Sequence, residues 1–153
     1  MNSEWPTLID HLSHVKDLFI IGRGVGLSAA VEAALKLKET CQIHAEGISA
    51  SEIFHGSVSL ITPQYPVISF IGSDQSRASC LEINKKLEGY GAQVFSVASK
   101  AGDDYTLAVP EVHPLLQPLV QITAYYRVIE KLSKHRGLDP DVPPNLKKVT
   151  ETL

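Results

Sequence analysis

Glu32, Lys36 and Glu39 stand four and three residues apart in the run Glu32-Ala33-Ala34-Leu35-Lys36-Leu37-Lys38-Glu39, and His55-Gly56 follows shortly after. On a helix each residue advances about 100°, so with Glu32 at the origin Lys36 falls at about 40° and Glu39 at about 340°. The three share one narrow face and present a carboxylate, an ammonium and a second carboxylate side by side. Ala30, Ala34, Leu37 and Cys41 fall on a separate apolar stripe that can pack inward. Taken alone, the charged line is also what a solvated helix face looks like, with ion pairs worth about a few tenths of a kcal/mol each.

Gly22-Arg23-Gly24-Val25-Gly26 precedes this helix and follows the apolar run Leu18-Phe19-Ile20-Ile21. A dinucleotide fingerprint would need its third glycine where Leu27 stands, and no acid ends the next strand to hold a ribose. Two compatible readings remain. The glycines turn the backbone tightly, or their small size admits an anion to the free amides of the helix start. His44, Glu46 and His55 make a poor metal set, with no cysteine partner, and no metal or cofactor is expected. Ser28 lacks a nucleophile elbow. Cys41 and Cys80 form no CxxC pair and read as core residues of a reduced, intracellular protein.

The elements that must carry these residues follow from periodicity. Residues 3–14 predict a short amphipathic helix with Ser3 as its cap and Trp5, Leu8 and Leu12 inward. Leu18–Ile21, Tyr65–Ile71 and Gln93–Val97 read as buried strands, and Tyr105–Val109 as a short fourth. Helices are expected from about Ser28 to Gln42, from Arg77 to Tyr90 with Gly91 as C-cap, and from Leu115 to Ser133. His44–Ile48 reads as a loop and Ser51–Phe54 as one helical turn. Alternating strands and helices imply an α/β/α sandwich, flavodoxin-like, on a parallel sheet of about five strands, with ligands expected beyond the strands' carboxyl ends. Gly22, the start of the charged helix and Gly72-Ser73 belong to that edge, and Glu39 is expected near it, shielded from bulk solvent.

With 153 residues, 44% hydrophobic and 20% charged, one domain with a real core is expected. A net charge of −3 gives no basic footprint for nucleic acid. No run reaches a membrane span and no leader pattern opens the chain, so a soluble cytoplasmic protein is expected.

Gly22-Arg23-Gly24, the Glu32–Glu39 run, Ile43-His44-Ala45-Glu46, and Glu52-Ile53-Phe54-His55-Gly56 together resemble the sugar isomerase (SIS) domain family. The tail Asp139-Pro140-Asp141-Val142-Pro143-Pro144-Asn145-Leu146-Lys147-Lys148-Val149-Thr150 is similar to that family's C-terminal segment. The likeness is to the second SIS module of glucosamine-6-phosphate synthase and to SIS-type glucosamine-6-phosphate deaminases.

The resemblance implies an N-terminal linker or helix over 1–15, an SIS domain over 16–136, and a tail over 137–153 that contributes to the active site. It implies that Glu39 is the base moving a proton between C1 and C2 of an open-chain sugar. Lys36 would stand beside it and Glu32 in the same site, with Gly22, Arg23 and Gly24 contacting substrate. His55 would help open the sugar ring from a neighbouring subunit of a homodimer, and Lys148 would form a Schiff base with a keto sugar. Those residue types suit the task, since a carbon acid beside a carbonyl needs a positioned carboxylate and a cation for the developing oxyanion.

A phosphosugar isomerase or deaminase acting on a hexose or hexosamine 6-phosphate is the leading expectation, of the glucosamine-6-phosphate deaminase type. The alternatives are the isomerase module of a glutamine–fructose-6-phosphate aminotransferase, a regulatory sugar-phosphate-binding module, and a dimerisation domain using the Ala29-Ala30-Ala33-Ala34 face. The family's phosphate-binding Ser-x-Ser-Gly loop is absent; Gly72-Ser73-Asp74-Gln75-Ser76 brings an aspartate instead. A partner N-terminal SIS module is therefore expected, and the chain alone is expected to be inactive.

Overall fold

The computed structural model describes residues 5–100 and 103–146. Ser3, the expected helix cap, and Lys148 lie outside that range. In chain order come α1 (Pro6–Leu12), β1 (Asp17–Gly22), α2 (Gly26–Cys41), β2 (His44–Ser49), β3 (Pro66–Phe70), α3 (Arg77–Gly89), β4 (Gln93–Ala98), β5 (Thr106–Ala108) and α4 (Gln117–His135). Two 3-10 turns, Glu52–His55 and Ser57–Leu60, join β2 to β3. The five strands form one parallel sheet in the order β2-β1-β3-β4-β5. This is the doubly wound order expected of a flavodoxin-like α/β/α sandwich.

The continuous apolar strands are explained by burial on both faces. Along β1, Leu18 and Ile20 pack toward α1, α2 and α4, while Phe19 and Ile21 pack toward α3. The same alternation places Ile68, Phe70, Phe95 and Val97 on the first side and Val67 and Val94 on the second. Trp5, Leu8 and Leu12 are buried as α1's periodicity predicts. α3 stops at Gly89, and Gly91 at φ +98° closes it: its N–H donates to Glu88 O, and that of Ala92 to Leu87 O. That pair of bonds is a Schellman cap.

His44–Ser49 is a strand, not the expected loop. It pairs with β1 from Asp17↔His44 to Gly22↔Ser49. Its inward residues are Ala45 and Gly47, small because α2 lies directly on it. A Cβ at Gly47 would stand 2.7 Å from Val31 Cα and 2.9 Å from Ala30 O. An edge strand pressed this closely cannot carry the large apolar side chains by which strands are recognised.

The alanine face is likewise not free for a twin. Ala29, Ala30, Ala33 and Ala34 are 3% exposed or less, buried between the sheet and α4.

Candidate active site

Burial of those alanines with Leu37 and Cys41 fixes the rotation of α2. Its charged line then emerges along the groove shared with α4. Lys36 Nζ donates to Glu39 Oε2 at 2.6 Å and lies 3.6 Å from Glu32 Oε1. The side chains of Glu39 and Lys36 are 24% and 30% exposed, shielded yet reachable. The Glu39 hydrogen bond, helped by the charges of Glu39 and Glu32 and opposed by burial, holds the Lys36 ammonium above the usual lysine range.

α4 runs parallel to α2 and supplies the groove's other wall. Tyr126 Oη donates to Glu32 Oε1 at 2.6 Å, Ser133 Oγ to Thr40 O at 2.7 Å, and Arg136 Nε to Cys41 O at 2.9 Å. Arg136 also donates to Leu12 O, Ser13 O and Val15 O, so one guanidinium caps the ends of both α1 and α2. A cation there also suits the negative ends of both helix dipoles. Burial first, then the Glu32 hydrogen bond and the charges of Glu32 and Glu39, push the Tyr126 phenol up to about 12.

The tail turns back over this groove. Gly137, at φ +73°, donates to Lys134 O, and Leu138 to Ser133 O, which closes α4 with a second Schellman cap. Asp139 then accepts the Asp141 N–H at 2.9 Å. The result is a cleft of about 690 Å³, with Lys36, Glu39 and Thr40 on one wall and Pro140, Asp141, Val142, Pro143 and Leu146 on the other. The described chain ends two residues short of Lys148.

Gly22, Arg23 and Gly24 do not join this cleft. Glu39 lies thirteen residues past Gly26 along α2, about 20 Å at 1.5 Å per residue. Because α2 runs back against β1, Glu39 sits toward the amino edge of the sheet and not near the carboxyl edge, a correction to the expected placement. The glycines have a packing cause. A Cβ on Gly22 would stand 2.4 Å from Gly26 O, and one on Gly26 would stand 2.9 Å from Phe70 O. Gly24, at φ +56°, has Asp74 Oδ2 only 3.0 Å from where its Cβ would be. A carboxylate of the protein thus already faces this turn.

His55 is also elsewhere. It is exposed on the 3-10 turn after β2, its Nδ1 3.1 Å from Glu52 Oε2. Ile53 of the same turn packs on the α3 side of the sheet, opposite α2. Within one copy, then, the sheet stands between His55 and Glu39. Among the described residues no cluster of three His, Cys, Asp or Glu is placed to hold a metal, and no helix is long and apolar enough to cross a membrane.

Tyr126, Ser133 and Arg136 were not singled out by sequence. Their only signal is a shared helical face, which says nothing until α2 is known to lie against it.

The SIS domain family model matches residues 11–125. Glutamine–fructose-6-phosphate aminotransferase (isomerizing) of Methanothermobacter thermautotrophicus is 38% identical over 143 residues, covering 89% of this chain but 24% of that protein. The chain thus spans about a quarter of the length of this curated relative. The crystal structure of a candidate phosphosugar isomerase from Silicibacter pomeroyi superposes with a TM-score of 0.81 at 37% identity, covering 90% of this chain and 42% of that one. Glucosamine-6-phosphate deaminase from Thermotoga maritima shares the fold, with a TM-score of 0.76 at 23% identity over 96% of this chain and 44% of its own.

Proposed function

Because the chain belongs to the SIS domain family, we propose that it is a catalytic module for aldose–ketose isomerisation of a hexose or hexosamine 6-phosphate. The observation that carries this is the Lys36–Glu39 pair, 2.6 Å apart and half-shielded beneath the tail. A surface ion pair needs no cleft over it. A base acting on a carbon acid needs a fixed carboxylate, restricted water and a cation beside the oxygen that gains charge.

In this reading Glu39 takes the proton from the carbon next to the sugar carbonyl. Lys36 stabilises the enediolate or enolamine by giving a proton to the former carbonyl oxygen or imine nitrogen and recovering one from the hydroxyl on the neighbouring carbon. Glu39 returns its proton to the former carbonyl or imine carbon. No net charge is left behind. The family resemblance would add Lys148, which lies outside the described residues, as a Schiff-base lysine for a keto sugar. Lys36 is the one cation on the described walls, beside Glu39 and Asp141. The phosphate would therefore be held by groups outside these walls, which fits a partner SIS module.

Of the two enzyme types, the isomerase module of an aminotransferase is now favoured over a deaminase. The relative at 38% identity carries the aminotransferase name, whereas the deaminase likeness at 23% extends to the fold alone. The test is Glu39→Gln in the complete polypeptide, followed by solvent-deuterium exchange into the sugar and by ammonia release. Turnover should fall by about 10²–10⁴-fold with little change in KM. Unchanged exchange would remove the base from the site, and ammonia release by the unmodified enzyme would restore the deaminase.

A further inference from the structure

We propose that Tyr126 is a positioning residue for this site, holding Glu32 so that the shared lysine stays with Glu39; the inference rests on the isomerase reading above. The geometry is a relay across two helices. Tyr126 Oη donates to Glu32 Oε1 at 2.6 Å. The same oxygen is the one that faces Lys36, at 3.6 Å, while Glu39 holds Lys36 at 2.6 Å. Two carboxylates flank one ammonium, and the arrangement is asymmetric by about 1 Å in favour of Glu39.

Without a partner, Glu32 at the i−4 position is as able to pair with Lys36 as Glu39 is at i+3. The phenol breaks that symmetry. It occupies Glu32 Oε1 with a charge-assisted hydrogen bond, roughly twice the strength of a neutral one. Glu32 is thereby kept from closing on Lys36. If the ammonium were drawn away, the developing oxyanion would lose its nearest cation while substrate contacts stayed in place.

The position of the phenol is set by its own helix. Tyr125, fully buried, packs edge-on to Phe70 with ring centroids 5.5 Å apart. That contact fixes the rotation of α4, and the next residue, about 100° further round, meets α2. Ser133, seven positions on and bonded to Thr40 O, holds the same face in register. The raised phenol is consistent with a proton kept on Tyr126 for donation to Glu32.

The experiment is a double-mutant cycle in the complete enzyme, with Tyr126→Phe introduced alone and on a Glu32→Gln background. Phe keeps the ring and removes only the donor. Alone, it should lower kcat by about tenfold with KM within about twofold. On the Glu32→Gln background the same change should cost less than about twofold, because the group through which Tyr126 acts has lost its charge. Equal losses in both backgrounds, or none in the unmodified one, overturn the proposal. Absorbance titration of the phenols gives an independent readout. Glu32→Gln should bring one tyrosine down from about 12 toward its ordinary range, and an unmoved tyrosine also overturns the relay. Glu39→Gln, run alongside, separates the two readings. Retained turnover there removes the isomerase base itself, whereas its loss together with equal Tyr126→Phe losses removes only the relay.

Discussion

Lys36 is held by Glu39 at 2.6 Å with a second carboxylate, Glu32, 3.6 Å away, which makes it the residue whose titration is most informative. Its folded-state proton is held more tightly than in the unfolded chain, through Glu39 first. A group raised in this way contributes its stability fully below the unfolded lysine value, about 10.4, and loses it as pH climbs through the folded one. The pair should therefore be constant through neutrality and weaken only at high pH. Lys36→Met should cost about a few tenths of a kcal/mol at neutral pH, given its partial exposure. The gap to the unmodified protein should narrow between roughly pH 9 and roughly pH 12, read as urea midpoints. A gap that widens with pH contradicts the assigned sign. At this scale the helical angles of Glu32, Lys36 and Glu39 were legible, because they depend only on neighbours within two turns. The Tyr126 hydroxyl was not, since it reaches Glu32 across 94 positions of chain.

β1, β3 and β4 announce themselves because both of their faces are covered, which forces unbroken apolar runs. β2 is hidden for the opposite reason. It is an edge strand whose inward positions, Ala45 and Gly47, are cut down to admit α2. The helix that carries the charged line thus owes its height above the sheet to a residue with no side chain. Gly47→Ala tests this, because alanine is ordinarily no worse than glycine in a strand. Here the added methyl meets backbone at 2.7 and 2.9 Å, and no side-chain rotation can relieve it. Destabilisation of about 1–3 kcal/mol is expected from overpacking, seen as a lower urea midpoint with an unchanged slope. A neutral or stabilising result would mean that α2 is free to rise, and with it the Lys36–Glu39 pair.

At the scale of the whole molecule, the residues proposed for catalysis are distributed over two sides of one sheet. Glu39 and Lys36 open toward the tail on the α4 side, whereas His55 stands exposed on the turn whose Ile53 packs with α3. Sequence order placed all three within two dozen positions, and the crossover from β2 to β3 separates them; that separation is topological and cannot be read from spacing. If His55 acts on the same sugar as Glu39, it must do so in the cleft of another copy. Closed two-fold pairing is the commonest way to arrange this, since each copy then both gives and receives a histidine. Complementation decides the matter. Glu39→Gln and His55→Ala should each abolish or strongly reduce isomerisation when expressed alone. In a mixed pair, one cleft combines an intact Glu39 from the His55→Ala copy with an intact His55 from the Glu39→Gln copy. Random pairing would make half of the molecules mixed with one whole site each, so co-expression should restore roughly a quarter of normal turnover. The other cleft of each mixed pair carries both defects and adds nothing. No recovery on co-expression, with mixed pairs verified by differential tagging, would confine each copy to its own residues. The sheet would then leave His55 without a part in Glu39's chemistry.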